Sequence, residues 1–592
     1  MPGCFSSRCM LLLATAGCAF ALISPYRPAR SQEQPPSDTV TYPVDGVVEN
    51  SLTHQPIARV LVSSMSDEVL SDNEGRFELH LPAGMGEIRL RRPGYGGGGF
   101  MSMMMPDMPH RIIVAAGMAP LILYLTPAAS IVAHVTLSSG DEPDGVRFTL
   151  YRRQAVNLYA QWAPIGNTVS DSQGDVRFPA LSAPASYVFC SAASSDHAGP
   201  AAPGVRVYGY PGLCFPGGID FASAIAAPLK LGPGQDAEFD VALDRQPFYP
   251  VTISVSGAGQ NPAPFIQVHT ASGEPTDFAT YRDGPNGPTV FHLPNGSYYA
   301  EASAGRGLDS RRYARVDFTV AGGPVSGLML VPVPVQPLSV EIRRDFTAST
   351  GEDSQPPAGF RLPGNFPNDS GLPDDSSPAV NISLVPPLDT AMGSVLGGAL
   401  RHATSAPEGD YLWDITAQGR FRVQVNSFGP YYVSSITMGA TDLARDLLVI
   451  GPGGSTQPIE IVLRNDFGQL LCTYAPPPSS SAPSAPAAID FNPVFVYAIP
   501  LFPSVERLHQ GIARAAGQPS IPLALPPGSY LVVAALGPQQ IDLDDAQLMS
   551  RLNAAGQKVT IQPGQTTTVA FDKLIGGDDG GDSTADAAEN NP

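Results

Sequence analysis

Residues 71–84 read SDNEGRFELHLPAG, and this stretch decides the fold class. Its first five residues are typical of a tight turn, because Asn and Gly tolerate positive φ. The next six alternate between polar and apolar residues, which places Phe77, Leu79 and Leu81 on one face of a strand. A Pro-Ala-Gly turn follows. The stretch therefore predicts a half-buried strand between two turns.

A pattern of short apolar runs, interrupted by Gly, Pro, Asn and Asp, extends over residues 40–126. It predicts strands at 44–48, 56–62, 76–81 and 88–92. Across all 592 residues there are 60 Gly and 62 Pro, roughly twice average usage, and neither residue suits a helix interior. Hydrophobic residues make up 43% of the chain, enough to build cores. These features predict an all-β, turn-rich protein of several domains.

The order of motifs in residues 40–126 resembles the carboxypeptidase regulatory-like domain. The resemblance rests on Gly-x-Val at 46–48, Pro-Ile-x-x-Val-x-Val at 56–62, the 71–84 stretch and Pro-Gly-Tyr at 93–95. It implies a small β-sandwich similar to transthyretin and to collagen-binding B-type modules. In that family the module accompanies zinc carboxypeptidases and is not their catalytic part. The sequence has neither His-x-x-Glu nor HExxH, the motifs of zinc peptidases.

Weaker copies of the pattern recur along the chain. The Ser-Asp-x-x-Gly turn returns at 170–174, and Pro-x-Gly-x-Tyr elements end at Tyr298, Tyr411 and Tyr530. A spacing of about 110–120 residues is typical of tandem domains of one type. We therefore predict a tandem array of about five Ig-like or transthyretin-like β-sandwiches. Their expected bounds are 40–127, 128–246, 247–336, 337–465 with a disordered insertion at 347–378, and 466–575. A single helix is predicted at 542–553, packed on the last sandwich.

The N-terminal segment predicts export. Residues 1–31 resemble a signal peptide, with Arg8, a 14-residue apolar run from Met10 to Ile23 and a small-x-small site at Ser31. Lipid attachment at Cys18 and a retained anchor are the alternatives. No later stretch has the length of a transmembrane helix. Residues 32–39 are a predicted linker, and the acidic tail 576–592 is predicted to be disordered.

Charge and cysteine usage restrict the partners. The net charge of −20 disfavours nucleic acid and anionic membrane surfaces. Cys190 and Cys214 are 24 positions apart, and in an exported protein they are candidates for a disulfide; a pair of buried free thiols is the alternative. Cys472 is expected in a core. No motif predicts a cofactor.

Two groups of side chains are candidate binding sites. A Met-rich loop, with thioethers and an imidazole suited to Cu(I), offers Met101, Met103, Met104, Met105, Met108 and His110. The alternative for this loop is an apolar contact surface. Four aromatic residues are candidates for stacking on sugar rings, and core positions are the alternative for the tryptophans: Trp162, Tyr208, Tyr210 and Trp413.

Catalytic motifs are weak. Residues 194–197 read SSDH, which contains triad residue types, but the G-x-S-x-G elbow is absent. Acidic residues in the turns at 71–75 and 170–175 are candidates for Ca²⁺ or for ordinary turn positions. We therefore expect a non-catalytic exported envelope protein, structural or adhesive, whose partner is an envelope protein or a glycan. A carbohydrate-binding protein for polysaccharide capture is the alternative, and a hydrolase with a site between domains is a weaker third reading.

Overall fold

The computed structural model shows a chain built almost wholly of β-strands. It describes residues 40–96, 110–156, 159–196, 204–256, 265–274, 276, 281–282, 287–304, 312–346, 380–388, 390, 396–397, 400–402, 410–415, 418–427, 431–451, 455, 457–474, 494–515, 522–536, 539 and 541–575. The predicted signal segment, the 32–39 linker, the 347–378 insertion and the 576–592 tail lie outside these residues. None of the described helices is long and apolar enough to cross a membrane.

The first sandwich has seven strands in two sheets. They are β1 (Thr41–Asn50), β2 (Leu61–Ser63), β3 (Glu68–Leu70), β4 (Arg76–Pro82), β5 (Gly84–Arg91), β6 (His110–Val114) and β7 (Leu121–Leu125). One sheet has the order β4-β1-β7, and the other has the order β3-β2-β5-β6. The predicted strand at 76–81 is β4, whose burial alternates as the sequence pattern requires. Phe77, Leu79 and Leu81 point into the core.

The second sandwich carries extra elements. Its strands are β8 (Ala129–Leu137), β9 (Arg147–Val156), β10 (Tyr159–Val169), β11 (Asp175–Leu181), β12 (Ala185–Ser191), β13 (Ser194–Ser195), β14 (Val207–Tyr210), β15 (Cys214–Phe215), β16 (Leu229–Leu231) and β17 (Asp236–Leu243), and its helix is α1 (Phe221–Ala226). The sheets are β11-β8-β17 and β10-β9-β12-β15, with β16 paired to β12.

The third sandwich borrows a hairpin from the second. Its own strands are β18 (Gln246–Val255), β19 (Phe265–Thr270), β20 (Tyr281–Arg282), β21 (Thr289–Leu293), β22 (Gly296–Ala304), β23 (Arg312–Val320), β24 (Val325–Leu330) and β25 (Val333–Pro334). One sheet has the order β13-β14-β18-β21-β20 with β24 on β18, and the other has the order β19-β22-β23-β25. The two neighbouring sandwiches are thus joined by main-chain hydrogen bonds between β14 and β18.

The fourth sandwich has two sheets of six and four strands. Its strands are β26 (Leu338–Arg344), β27 (Val380–Val385), β28 (Leu396–Gly397), β29 (Leu400–His402), β30 (Asp410–Trp413), β31 (Gly419–Ser427), β32 (Tyr432–Met438), β33 (Thr441–Asp442), β34 (Leu448–Ile450) and β35 (Ile459–Arg464). The sheet orders are β29-β30-β26-β35-β32-β33 and β28-β27-β31-β34.

The fifth sandwich closes the array. Its strands are β36 (Gly468–Tyr474), β37 (Val494–Pro500), β38 (His509–Ala515), β39 (Leu523–Leu525), β40 (Gly528–Leu536), β41 (Gln557–Ile561) and β42 (Thr566–Phe571), and its helix is α2 (Ala546–Ala555). The order is β39-β36-β38-β37-β40-β41, with β42 paired to β36. The predicted helix is present but begins at Ala546, because the Asp545 side chain caps it by accepting from Gln547 and Leu548 N–H. The short helix α1 was not predicted, although Asp220 caps it by accepting from Ser223 N–H.

One topology repeats through the array. In each sandwich the first strand pairs in parallel with a strand near the end of that sandwich, as β1·β7, β8·β17, β18·β24, β26·β35 and β36·β42. This partner is the last strand in four sandwiches, and in the third only the two-residue β25 follows it. The other edge of each first strand pairs antiparallel with an internal strand, as β4, β11, β21, β30 and β39. A repeated strand order of this kind is built from the same hydrophobic alternation in each copy. The chain is a tandem array of small β-sandwiches.

The Ser-Asp-x-x-Gly turns of the first two sandwiches have the same hydrogen bonds. Ser71 Oγ accepts from Val60 N–H at 2.9 Å, and Ser170 Oγ accepts from Val146 N–H at 2.9 Å. In both turns the glycine carbonyl accepts from the first strand of the sandwich at 2.8 Å. The repeat read from the sequence is therefore a repeat in three dimensions.

The Pro-x-Gly-x-Tyr elements are only partly equivalent. Tyr298 and Tyr530 begin β22 and β40, and each buried hydroxyl donates to the carbonyl of the proline four residues earlier, at 3.1 and 2.7 Å. Tyr411 instead lies on β30, which pairs with β26. In the fourth sandwich the residue equivalent to the other two tyrosines is Phe421, which follows Gly419 at the start of β31.

Five principal hydrophobic cores are found among the described residues, one for each sandwich. Their buried members fall within residues 44–125, 129–243, 207–330, 338–463 and 470–571. The second and third ranges overlap because Val207 of β14 packs in the core of the third sandwich. Two smaller clusters lie beneath α1 and α2.

Candidate functional site

The two tryptophans proposed for sugar stacking are core residues. Trp162 is 1% exposed and Trp413 is fully buried. Trp162 packs edge-on against Phe221 of α1, with ring centroids 6.5 Å apart. A sugar ring stacks on an exposed aromatic face, so neither tryptophan is placed for that role. Both tryptophans lie in apolar cores, which was the alternative given for them above.

The two tyrosines of the same candidate set are also engaged. Tyr210 is 6% exposed, and its hydroxyl lies 2.5 Å from Ser139 Oγ. Tyr208 is half-buried beneath the guanidinium group of Arg245, 4.6 Å from its ring centroid. Arg245 is held there by an ion pair with Asp196 at 2.6 Å. The four aromatic candidates do not form one platform, and the carbohydrate-binding alternative has no support in this geometry.

Only one residue of the Met-rich candidate site lies within the described structure. The five methionines, Met101, Met103, Met104, Met105 and Met108, lie outside the described residues. His110 is described and begins β6, opposite Ile88 of β5. The structure therefore leaves the copper hypothesis for this loop as a prediction.

Cys190 and Cys214 are joined by an S–S bond of 2.06 Å. They face each other across the paired strands β12 and β15, and both are buried. Glu274 Oε1 of the third sandwich lies 3.8 Å from Cys214 Sγ. The three side chains are close enough to surround a cation, but sulfurs bonded to each other offer no thiolate to a metal. This contact is van der Waals packing between two sandwiches.

Glu274 is a half-buried carboxyl group at the contact between the second and third sandwiches. Burial raises the pKa of Glu274 to about 7, and nearby Asp220 adds to the increase. Thr270 and Tyr151 donate hydrogen bonds to the carboxyl group and oppose the increase in its pKa. Burial also raises the pKa of Tyr151, so its hydroxyl stays protonated and can donate. The contact suits a protonated or hydrogen-bonded carboxyl at the boundary of two sandwiches.

The third sandwich carries a buried polar cluster on the outer face of its β19-β22-β23 sheet. His269 Nε2 lies 3.0 Å from Glu301 Oε1, and His269 Nδ1 lies 3.3 Å from the Gly273 carbonyl oxygen. The hydroxyl of Tyr313 donates to the other oxygen of Glu301. Acceptor oxygens thus lie beside both ring nitrogens of His269. This His–Glu–Tyr arrangement contains residue types used in acid–base catalysis.

The cluster is closed by aromatic contacts. His269 stacks on Tyr299, with 4.9 Å between the ring centroids. The Arg315 guanidinium group lies over the same Tyr299 ring, 3.7 Å from its centroid. Burial raises the pKa of Tyr299 to about 12. Burial also pushes the pKa of Glu301 upward, but hydrogen bonds from His269 and Tyr313 bring it below its ordinary value. Glu301 is therefore an ionised group with the Tyr313 hydroxyl on one oxygen and His269 Nε2 beside the other.

Sequence reasoning missed this cluster, and no local motif carries it. His269 is on β19 and Glu301 on β22, and they meet only because His269 pairs with Tyr299 in the register of these strands. Alternation places the two side chains on one face once that register is known.

The acidic turn residues are used by the backbone. Asp72 Oδ1 accepts from Glu74 N–H at 3.0 Å, and Asp171 Oδ1 accepts from Gln173 N–H at 2.9 Å. These contacts are the Asx turns of the ordinary reading. Of the SSDH stretch, Ser194 lies on β13 and Asp196 pairs with Arg245, while position 197 is outside the described residues.

Comparison with known protein families finds no match, and neither does comparison with curated proteins. Solved structures give distant likenesses. The Bacillus anthracis TIE protein is 14% identical over 50% of this chain and 51% of its own, with a TM-score of 0.15. A streptococcal ancillary pilin is 14% identical over 50% of this chain and 100% of its own, with a TM-score of 0.17. The minor pilin GBS52 of Streptococcus agalactiae is 12% identical over 35% of this chain and 98% of its own, also at 0.17. This chain thus spans about half the length of the first of these proteins. At such TM-scores the likenesses carry no weight for the function of this chain.

Proposed function

We propose that this chain is an exported, non-catalytic protein of the cell envelope, with a structural or adhesive role. The observation that carries the proposal is the repeated sandwich topology, in which the first strand of every copy pairs in parallel with a strand near the end of that copy. Tandem copies of one small domain extend a surface without requiring a shared reaction site.

The polar side chains support a non-catalytic role. One carboxylate oxygen of Glu301 accepts from Tyr313 and the other lies 3.0 Å from His269 Nε2, and the aspartates of the two Asx turns accept from backbone amides. A general base needs a lone pair directed at a substrate. Among the described residues, these groups direct theirs at the protein itself.

The disulfide supports export. Structural disulfides between buried, paired strands persist in oxidising compartments and are rare in the cytosol. Together with the signal-like segment 1–31, the Cys190–Cys214 bond favours a protein that is periplasmic, on the cell surface or extracellular. Cleavage near Ser31 is the processing that we propose.

The finer family assignment is also a proposal. We propose that residues 40–127 form a carboxypeptidase regulatory-like domain, because its motifs lie on β1, β2 and β4 and in the segments that precede β2 and follow β5. The other proposed bounds are 128–246, 247–336, 337–465 and 466–575, and each range holds most of one hydrophobic core, with Val207 of the second range packed in the third core. We propose an envelope protein as the partner, since the buried tryptophans offer no stacking surface for a glycan.

The proposal is tested by complementation in cells that lack the protein. The wild-type chain is expected to restore envelope integrity or adhesion, and Glu301→Gln is expected to restore it equally, because the amide keeps the shape of the cluster without its base. Protein amount and circular dichroism establish that the variant is folded. A folded Glu301→Gln protein that fails to complement would show that the polar cluster is catalytic and would overturn the proposal.

A further inference from the structure

The outer face of the β10-β9-β12-β15 sheet in the second sandwich is buried although it points away from that sandwich's core. Tyr151, Trp162 and Val188 on this face form a cluster of their own with the disulfide. Part of the cover is Phe221 of helix α1, which is fully buried. The remaining cover comes from other sandwiches.

The third, fourth and fifth sandwiches all contact this face. From the third, Glu274 approaches Tyr151 and Cys214. From the fourth, Leu388, which follows β27, packs against the cluster around Trp162. Contacts from two different sandwiches to one sheet face place that face at a junction.

The third contact is an ion pair across most of the chain. Arg153 Nε of β9 lies 2.6 Å from Asp542 Oδ2 of the fifth sandwich, 389 positions later. The side chains are 24% and 18% exposed, so the pair is well shielded from solvent. Charged hydrogen bonds at this distance are among the stronger polar contacts.

The fifth sandwich also touches the fourth. Asp544 is paired with Arg507 at 2.9 Å, and Arg422 of the fourth sandwich and Arg153 of the second act on the same carboxylate. Val505 of the fifth sandwich packs against the core of the fourth. The segment that carries Asp542 and Asp544 is therefore enclosed by two other sandwiches.

We propose that the outer sheet face of the second sandwich is an internal docking face, on which the third, fourth and fifth sandwiches converge. The Arg153–Asp542 pair holds the chain folded back upon itself. The molecule is then a compact body, in contrast to the extended string that tandem domains joined end to end would form.

Small-angle X-ray scattering of the purified exported protein tests this directly. A compact body of this length has a radius of gyration of about 25 Å. Five sandwiches in a row, each about 33 Å long, give about 48 Å. We expect a value near 25 Å at physiological salt, and a value near 48 Å would overturn the docking face.

Charge reversal tests the ion pair. Asp542→Arg places two guanidinium groups together, and we expect the radius of gyration to rise by at least about one fifth. The swapped double variant Arg153→Asp/Asp542→Arg is expected to return to the wild-type value. The control is Asp572→Arg, an exposed position of the same sandwich. Circular dichroism confirms folding. Equal radii for Asp542→Arg and Asp572→Arg would show that the pair does not hold the chain closed.

Discussion

Two glycines of the second sandwich allow the cost of a positive φ to be measured apart from the cost of a steric clash at the Cβ position. Gly174 and Gly140 both have positive φ, +88° and +77°. A Cβ at Gly174 would lie 2.3 Å from the Val135 carbonyl oxygen, whereas one at Gly140 meets nothing within 4 Å. We expect Gly140→Ala to cost about 1 kcal/mol from φ alone. Gly174→Ala should cost about 3 kcal/mol or more. Urea unfolding measures both, and equal losses would show that the turn does not contact β8 so closely.

The buried tyrosine hydroxyls make a second prediction for single residues. Tyr530→Phe removes the 2.7 Å bond to the Pro526 carbonyl and leaves that buried acceptor unpaired. The expected loss in the free energy of unfolding is about 1–2 kcal/mol. Tyr474→Phe, at a half-buried tyrosine of the same sandwich, is the matched control and should cost less. Phe421 stands at the equivalent place in the fourth sandwich, so the change is compatible with the fold.

Glu274 gives a pH dependence whose sign follows from burial. Its pKa is raised from 4.5 to about 7, so the folded protein binds this proton more tightly than the unfolded chain does. The free energy of unfolding should therefore fall between pH 4.5 and 7, by about 1–3 kcal/mol, and then level off. Tyr151 and Asp220 face the same carboxyl group. Glu274→Gln should flatten this part of the pH profile, and an unchanged profile in urea unfolding would contradict the assignment.

The hairpin β13–β14 is the element that fuses the second and third sandwiches. It lies inside the 24-residue separation closed by Cys190 and Cys214, and its strand β14 pairs with β18. Cys190→Ser/Cys214→Ser should lower stability by about 3 kcal/mol. It should also speed hydrogen exchange in residues 194–196, 204–210 and 246–255. Cys472→Ala, in the fifth sandwich, should leave exchange there unchanged. Protection that survives in the double variant would show that strand pairing alone orders the hairpin.

At the scale of elements, the sequence is informative wherever a signal is local. The strand at 76–81, the turn at 170–174 and the helix before Asn553 all depend on neighbours within a few residues. Tyr411 shows the limit, because a Pro-x-Gly-x-Tyr match fell on a different strand from the other two. His269 and Glu301 show it too, because their contact depends on the register of β19 against β22.

For the whole molecule, the Gly and Pro content indicated an all-β protein, and the spacing of the recurring motifs indicated a tandem array. Contacts between sandwiches produce no comparable pattern in the sequence. Arg153 and Asp542 look like ordinary surface charges in the sequence, and only the folded chain brings them to 2.6 Å.

The measurement that tests the central claim most directly is the redox state of the cysteines in the cell that makes the protein. Cells are fractionated with free thiols blocked at lysis, and the peptides are analysed by mass spectrometry. An exported structural protein should be found in the envelope or medium, with Cys190 and Cys214 linked and Cys472 as a free thiol. Unlinked Cys190 and Cys214 in a cytosolic pool would contradict export, and with it the proposed role in the envelope.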